Sequence, residues 1–161
     1  MTFLRPSVGD DKMKLRRLTV EEMDQAAVVH VTAFDERLPW LANRHTLDGA
    51  RGYFRQHVFP ANTVWGAFAA DTLVGFIAFH DEWIEQLYVL PQWQGQGIGA
   101  ALLALAKAEF PRLHLWTFQR NLAARRFYTA RGFIAVRETD GADNYEKEPD
   151  VLYRWEATSS G

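Results

Sequence analysis

The chain has 161 residues, of which 48% are hydrophobic and 24% charged, with a formal net charge of −2. These values suit a single domain over residues 1–161 with a core of its own, and they give no electrostatic basis for a nucleic acid or an anionic membrane as partner. Cysteine is absent, which excludes disulfides, thiolate metal sites and a cysteine nucleophile; the five histidines at 30, 45, 57, 80 and 114 lack metal-ligand spacing, so no metal is expected.

No run of 18 apolar residues occurs and the N-terminus is too polar for a signal peptide, so a cytoplasmic protein is expected. Residues 1–12, with Pro6, Gly9 and Asp10-Asp11, read as a loose extension. A short strand follows at Lys14–Leu18. Thr19 stands three residues before Glu22, a capping-box pattern that predicts a helix through about Phe34. Its inward stripe is Met23, Ala26, Ala27, Val31 and Phe34, with His30 at the edge. Leu38-Pro-Trp-Leu41 breaks the helical pattern. A second helix is predicted over 47–58, with Tyr53, Phe54 and Val58 facing inward and Pro60 beyond its end. Strands at about 63–70 and 73–80 are joined by a hairpin-like turn at Ala70-Asp-Thr72, and a third strand spans about 83–90.

The stretch from Trp83 to Phe110 carries the first chemical signal. Residues 84–90 form an apolar strand that Pro91 ends. Gly95, Gly97 and Gly99 then occupy every second position, with Gln94 and Gln96 interleaved, and Ile98, Leu102, Leu105 and Ala106 repeat at helical spacing. A glycine turn feeding a helix N-terminus offers free N–H groups to an anion, which reads as a cradle for pyrophosphate. A Walker loop would need Gly-Lys-Ser/Thr, but Gly99 is followed by Ala-Ala-Leu-Leu; the dinucleotide fingerprint would need a different glycine spacing. The pattern Gln/Arg-x-x-Gly-x-Gly/Ala is met by Gln94, Gly97 and Gly99. On these residues the chain resembles the GNAT superfamily of acetyl-CoA-dependent N-acetyltransferases. The resemblance implies that Gln94, Gly95, Gln96, Gly97, Ile98, Gly99 and Ala100 hold the pyrophosphate of coenzyme A. It also implies that the strand at Leu87, Tyr88 and Val89 pairs with the pantetheine arm.

Beyond Pro111, Leu113–Phe118 is another strand, and Asn121 opens a helix to about Arg131 that Gly132 ends. Phe133–Arg137 and Val151–Trp155 are the last two strands. The run Phe118–Phe133 is similar to the second GNAT hallmark, with Asn121, Ala124, Phe127, Tyr128, Gly132 and Phe133 all in place. Asn121 and Tyr128 are seven residues apart, about two turns, and share a helix face. The resemblance implies cofactor contacts for Asn121, Ala124 and Phe127, and a proton-donating role for Tyr128 toward the departing thiolate. Asn121 as a helix cap is equally compatible with its position. The implied fold is mixed α/β: a central, mostly antiparallel sheet flanked by helices, in which the strands at about 84–90 and 113–118 splay apart to admit the cofactor.

The implied reaction moves acetyl from acetyl-CoA, as co-substrate, to a primary amine of a small molecule or peptide. A lysine-like amine is free base in only about one molecule in 10³ at neutral pH, so a base assists. Glu85 is the favoured candidate, two residues before Leu87 and therefore expected on the same strand face. Glu82 and His80 lie nearby. A backbone N–H at Leu87 or its neighbours can stabilise the oxyanion. The segment Glu138–Asp150 holds six acids against Lys147 alone, which suits either a solvated loop or a device attracting a cationic acceptor. The ending Asn144–Trp155 is similar to that of one bacterial subgroup of small GNAT proteins. A non-catalytic acyl-CoA-binding module on the same fold is the alternative, and assembly as a homodimer stays open.

Overall fold

The computed structural model describes residues 13–158; the extension expected over residues 1–12 lies outside the described residues. Strand β1 (Met13–Arg17) leads to helix α1 (Met23–Arg37). The predicted capping box is only half made: Glu22 Oε1 accepts from the Thr19 N–H at 2.8 Å, but the helix itself starts at Met23 with no side-chain cap. Arg16 donates to the same carboxylate, which holds Glu22 below the usual carboxylate range. The helix also runs one turn beyond Phe34. Met23, Ala26, Ala27 and Phe34 are buried as the spacing requires; Val31 is half-buried, and His30 is buried rather than marginal.

Helix α2 (Leu47–Tyr53) is capped by Thr46, whose Oγ1 accepts from the Gly49 N–H at 3.0 Å. It continues without a break through a turn of π-helix, Phe54–Val58, into a last α-turn, α3 (Phe59–Ala61). Pro60 thus sits at the second position of that terminal segment, inside the continuous helix and not beyond it. Phe54 and Val58 face the core, whereas Tyr53 is 48% exposed and turned outward. Ala50, Phe54 and Val58 are buried at four-residue steps, a face from which Tyr53 is turned by about 100°.

Strands β2 (Thr63–Ala69), β3 (Thr72–His80) and β4 (Trp83–Val89) form an antiparallel meander. Helix α4 (Ile98–Glu109), β5 (Arg112–Phe118), α5 (Leu122–Ala130), β6 (Ile134–Thr139) and β7 (Asp150–Glu156) complete the chain. The seven strands lie in the order β1-β2-β3-β4-β5-β7-β6, and every pairing is antiparallel except β4 with β5. β3 is buried on both faces, so its sequence is apolar without alternation. On one face Phe76 and Ala78 meet Met23, Ala27, Phe54 and Val58; on the other Ile77 and Phe79 share a cluster with Ile98, Leu102, Leu113 and Tyr153.

Two irregularities shape the centre. β4 and β5 are paired only at Trp83↔His114, after which they diverge, as the family resemblance implies. In addition, Ala78 faces Gln86 while Phe79 faces Ile84, so Glu85 is an extra, unopposed residue in β4. The bulge breaks strand alternation. Ile84 and Leu87 both pack in the α4 cluster, and Glu85 instead reaches Tyr53 and Asn62 beside α2 and α3. The expectation that Glu85 shares the face of Leu87 is therefore corrected.

Helix α5 ends with two bonds that define a Schellman turn: the Phe133 N–H donates to Tyr128 O and the Gly132 N–H to Thr129 O, with Gly132 at φ +93°. In the acidic loop, Gly141 is buried at φ +84°, and a Cβ there would lie 2.4 Å from the carbonyl carbon and oxygen of Glu148. Gly141→Ala combines a left-handed backbone penalty with a clash against main chain, and should destabilise the protein by about 2–4 kcal/mol. Urea unfolding of the two proteins measures that difference.

Candidate active site

The divergence of β4 from β5 opens a cavity of ≈ 1520 Å³. That exceeds the roughly 300–1,000 Å³ of a drug-sized site and suits a large cofactor together with a second molecule. Its walls include Leu87, Tyr88 and Val89 from β4, Gln94, Gly95, Gly97, Gly99 and Ala100 from the glycine turn, and Asn121, Ala124, Phe127 and Tyr128 from α5. Three sequence candidates are not among the lining residues. Ile98 is buried in the core under α4, Gln96 folds back so that its Nε2 meets Gln92 O at 3.4 Å, and Glu85 stands off the cavity behind Tyr53.

At the glycine turn, Gly97 caps α4 with φ +86°, and the first helical bond is donated by the Ala101 N–H to Gly97 O. The N–H groups of Ile98, Gly99 and Ala100 therefore precede the helical ladder, at the positive end of its dipole. No protein atom lies within 4 Å of a Cβ built on Gly97, so the backbone is open to a ligand. Gly99 is different: its Cβ would lie 3.3 Å from the Phe127 ring, so this glycine also allows α4 and α5 to approach. Gln94 braces the turn, donating to Val89 O at 2.9 Å and accepting from Arg37 of α1. Arg131 lies 4.0 Å over the Phe127 ring and donates to Phe127 O. Arg37 and Arg131 both line the cavity and bring positive charge to this end. Asn121 does cap α5, its Oδ1 accepting from the Ala124 N–H at 3.1 Å, and it also lines the cavity.

Tyr128 is 7% exposed, and its hydroxyl makes no hydrogen bond to another described residue. Burial, then the neighbouring Tyr88, pushes its ionisation above the ordinary tyrosine value, so at neutral pH it is an O–H donor. Beside it, the edge of β4 that faces β5 has no ladder partner past Trp83, which leaves main-chain groups free toward the cavity.

The other end is built from aromatic rings and acids. His30 packs edge-on against Tyr88 at 4.7 Å between ring centroids, and it also meets Phe34, Phe54 and His45. His45 Nε2 lies 3.0 Å from Glu146 Oε2, and its ring stacks on Tyr145 at 5.5 Å. Asp140, Asp143, Glu146 and Asp150 all reach the lining. Glu148 is buried and paired with Arg120 at 2.9 Å, and that guanidinium lies 4.0 Å over Trp40. The acidic loop is thus pinned to the turn after α1. Sequence reasoning missed Arg37, His45 and Tyr53 as site residues. Arg37 ends α1, His45 lies in the connection to α2 and Tyr53 ends α2, and no sequence motif marks any of them.

Residues 27–133 match the acetyltransferase (GNAT) family, about two thirds of the chain. The chain belongs to the GNAT family. An uncharacterized N-acetyltransferase from Archaeoglobus fulgidus is 26% identical over 136 residues, covering 74% of this chain and 91% of that protein. The PaiA N-acetyltransferase from Thermoplasma acidophilum, solved in complex with coenzyme A, superposes with a TM-score of 0.73 at 20% identity, covering 91% of this chain and 99% of that one. YncA from Salmonella typhimurium, solved with acetyl-CoA, has a TM-score of 0.69 at 15% identity, covering 94% and 97%. This GNAT protein is an acetyl-CoA-dependent N-acetyltransferase, with acetyl-CoA as co-substrate and an amine as acceptor. Its residues fit that co-substrate: an open Gly97 backbone, free first-turn amides and two arginines at one end of a cavity of sufficient volume. Among the described residues, no group of three His, Asp or Glu is placed to hold a metal ion, and no helix is long and apolar enough to cross a membrane.

Two outcomes test this geometry. Gly97→Asp puts a carboxylate at the open backbone position, and coenzyme A affinity should fall at least about tenfold, roughly 1.4 kcal/mol, by calorimetry on the folded variant. His30 supplies a pH test. Burial first, then His45, lowers its pKa from 6.5 to about 4. The folded state therefore resists protonation that the unfolded chain accepts. Stability is full above pH 6.5 and should decline by about 3 kcal/mol as pH falls toward 4. His30→Leu should flatten that part of the stability–pH curve, followed by urea unfolding at a series of pH values.

Proposed function

We propose that the acetyl group passes directly from acetyl-CoA to the primary amine of a small molecule or peptide, with no covalent acyl-enzyme and with Tyr128 as the acid. The observation that carries this reading is that a protonated Tyr128 hydroxyl with no described partner shares one cavity with the glycine turn and the unpaired edge of β4. In this reading the Leu87–Val89 main chain aligns the thioester arm, and an N–H of that edge stabilises the oxyanion as the amine adds. Asn121, Ala124 and Phe127 hold the arm along α5. Tyr128 gives its proton to the departing sulfur, whose thiolate has an ordinary pKa of about 8.5.

Glu85 takes a positioning role in the same reading. Its carboxylate accepts from the Tyr53 hydroxyl at 3.3 Å and from Asn62 Nδ2 at 2.7 Å, and Tyr53 in turn lines the cavity. It reaches the acceptor through Tyr53 rather than by direct contact. The acids Asp143 and Glu146 favour a cationic acceptor at the aromatic end of the cavity. A cytoplasmic site of action belongs to the same reading.

Tyr128→Phe keeps the ring and its packing against Phe133 and Tyr153 while deleting the proton donor. The kcat should fall by about 10²–10⁴-fold, while acetyl-CoA affinity changes by no more than about 1 kcal/mol. Thiol release in single turnovers measures the first, and calorimetry the second. An unchanged chemical rate assigns Tyr128 to the core and leaves water to protonate the thiolate.

A further inference from the structure

The acceptor end of the cavity contains a histidine–carboxylate pair that the reaction described so far does not use. We propose that His45, held by Glu146, is the base that takes a proton from the acceptor amine; this rests on the primary-amine reading above. Glu146 Oε2 lies 3.0 Å from His45 Nε2. A carboxylate can only accept, so the hydrogen resides on Nε2 and the lone pair on Nδ1. Nδ1 makes no hydrogen bond to another described residue, and the His45 side chain keeps 26% exposure while lining the cavity. The ring is clamped by Tyr145 stacked at 5.5 Å and by the edge-on contact with Phe34 at 5.1 Å. Glu146 is only 14% exposed, and Arg44 donates to its main-chain oxygen at 3.3 Å. A fixed tautomer, a fixed ring and an open nitrogen are what a base at this position requires.

Asp143 also lines the acceptor end, but it is exposed and no side-chain contact among the described residues holds it in place; the remaining titratable groups there are otherwise engaged. Glu85 is taken by Tyr53 and Asn62 and does not line the cavity. Asp150 binds Thr139 and Asn144, and Asp140 accepts from the Ala142 N–H. His30 is buried, with its Nδ1 shut away from any partner, and its low pKa makes it a poor base. The groups facing His45 are thus His30 of α1, Tyr145 and Glu146 of the acidic loop, and its sequence neighbour Arg44.

Proton balance is complete without a further reactant. The acceptor ammonium gives one proton to Nδ1, which passes it to water. The freed lone pair forms the N–C bond, the nitrogen sheds its second proton, and the C–S bond breaks as sulfur takes the Tyr128 proton. The shed proton restores Tyr128 through solvent, so one proton is released per transfer.

Thiol release from acetyl-CoA, followed from about pH 6 to about pH 10 with 2-phenylethylamine, tryptamine, spermidine and a lysine-containing peptide, tests the assignment. His45→Gln should lower kcat about 10²-fold or more near pH 7. That deficit should close as pH approaches the amine's own value of about 10.4, where solvent already supplies free base. Acetyl-CoA affinity should be unchanged. Glu146→Gln keeps an acceptor for the Nε2 hydrogen and should retain more activity than Glu146→Ala throughout, which tests the pair even if His45→Gln folds poorly. A His45→Gln deficit that is the same at every pH makes His45 structural and overturns the proposal. Alkaline rescue of Glu85→Gln without rescue of His45→Gln returns the role to Glu85. If the wild-type protein binds acetyl-CoA but releases thiol with none of the four amines, the primary-amine reading fails, and the base with it.

Discussion

A parallel pair of strands that touch at one register position governs this molecule. β4 and β5 are bonded at Trp83↔His114, and His114 N–H also donates to Glu82 O at 2.7 Å. Past that point the two strands cannot satisfy one another, and a sheet that is otherwise continuous carries an open seam in its centre. Unpaired main-chain groups at such depth are costly unless something else bonds to them. In the proposed reading the seam would bond to an extended, amide-containing arm. Helices α4 and α5 flank it, each with its N-terminus near the cavity, which is why the glycine turn and Asn121 meet at one site although they are far apart in sequence.

The cavity is also electrically divided. Arg37, Arg131 and the α4 amides make one end positive, while Asp143, Glu146 and their neighbours make the other negative. Between them stand Tyr88 and Tyr128, buried and with ionisation pushed upward mainly by loss of water. An anionic cofactor and a cationic acceptor would each be drawn to its own side, with Tyr128 between them.

What the sequence disclosed was what depends on short-range geometry. Gly97 and Gly132 were legible because a left-handed residue at a helix end leaves a local mark, and both have positive φ. The face shared by Asn121 and Tyr128 followed from helical periodicity, and both residues line the cavity. Glu85 was misplaced because its orientation depends on a bulge, which is a property of two strands and not of one. Tyr53 was read as inward although the buried face runs Ala50, Phe54 and Val58, one position round the helix from it. Arg37 and His45 acquire meaning only through partners 57 and 101 residues away, Gln94 and Glu146, and no local pattern encodes such pairs. The acidic loop lay between two readings. Its composition alone suited solvent, yet Glu148 and Glu146 turn inward to Arg120 and His45 from other segments.

The pinning of that loop by Arg120, Glu148 and Trp40 has an evolutionary side. In the proposed reading cofactor contacts come from β4, α4 and α5, elements in or packed on the centre of the sheet that cannot change without disturbing the core. In the same reading the acceptor wall comes from the connection after α1 and the segment between β6 and β7, surface pieces joined to one another through side chains. Surface connections tolerate insertion and replacement far better than packed elements do. Selection can therefore exchange the wall as a unit while inheriting the thioester machinery intact, and descendants of one such ancestor would differ in what they acetylate far more than in how they do it.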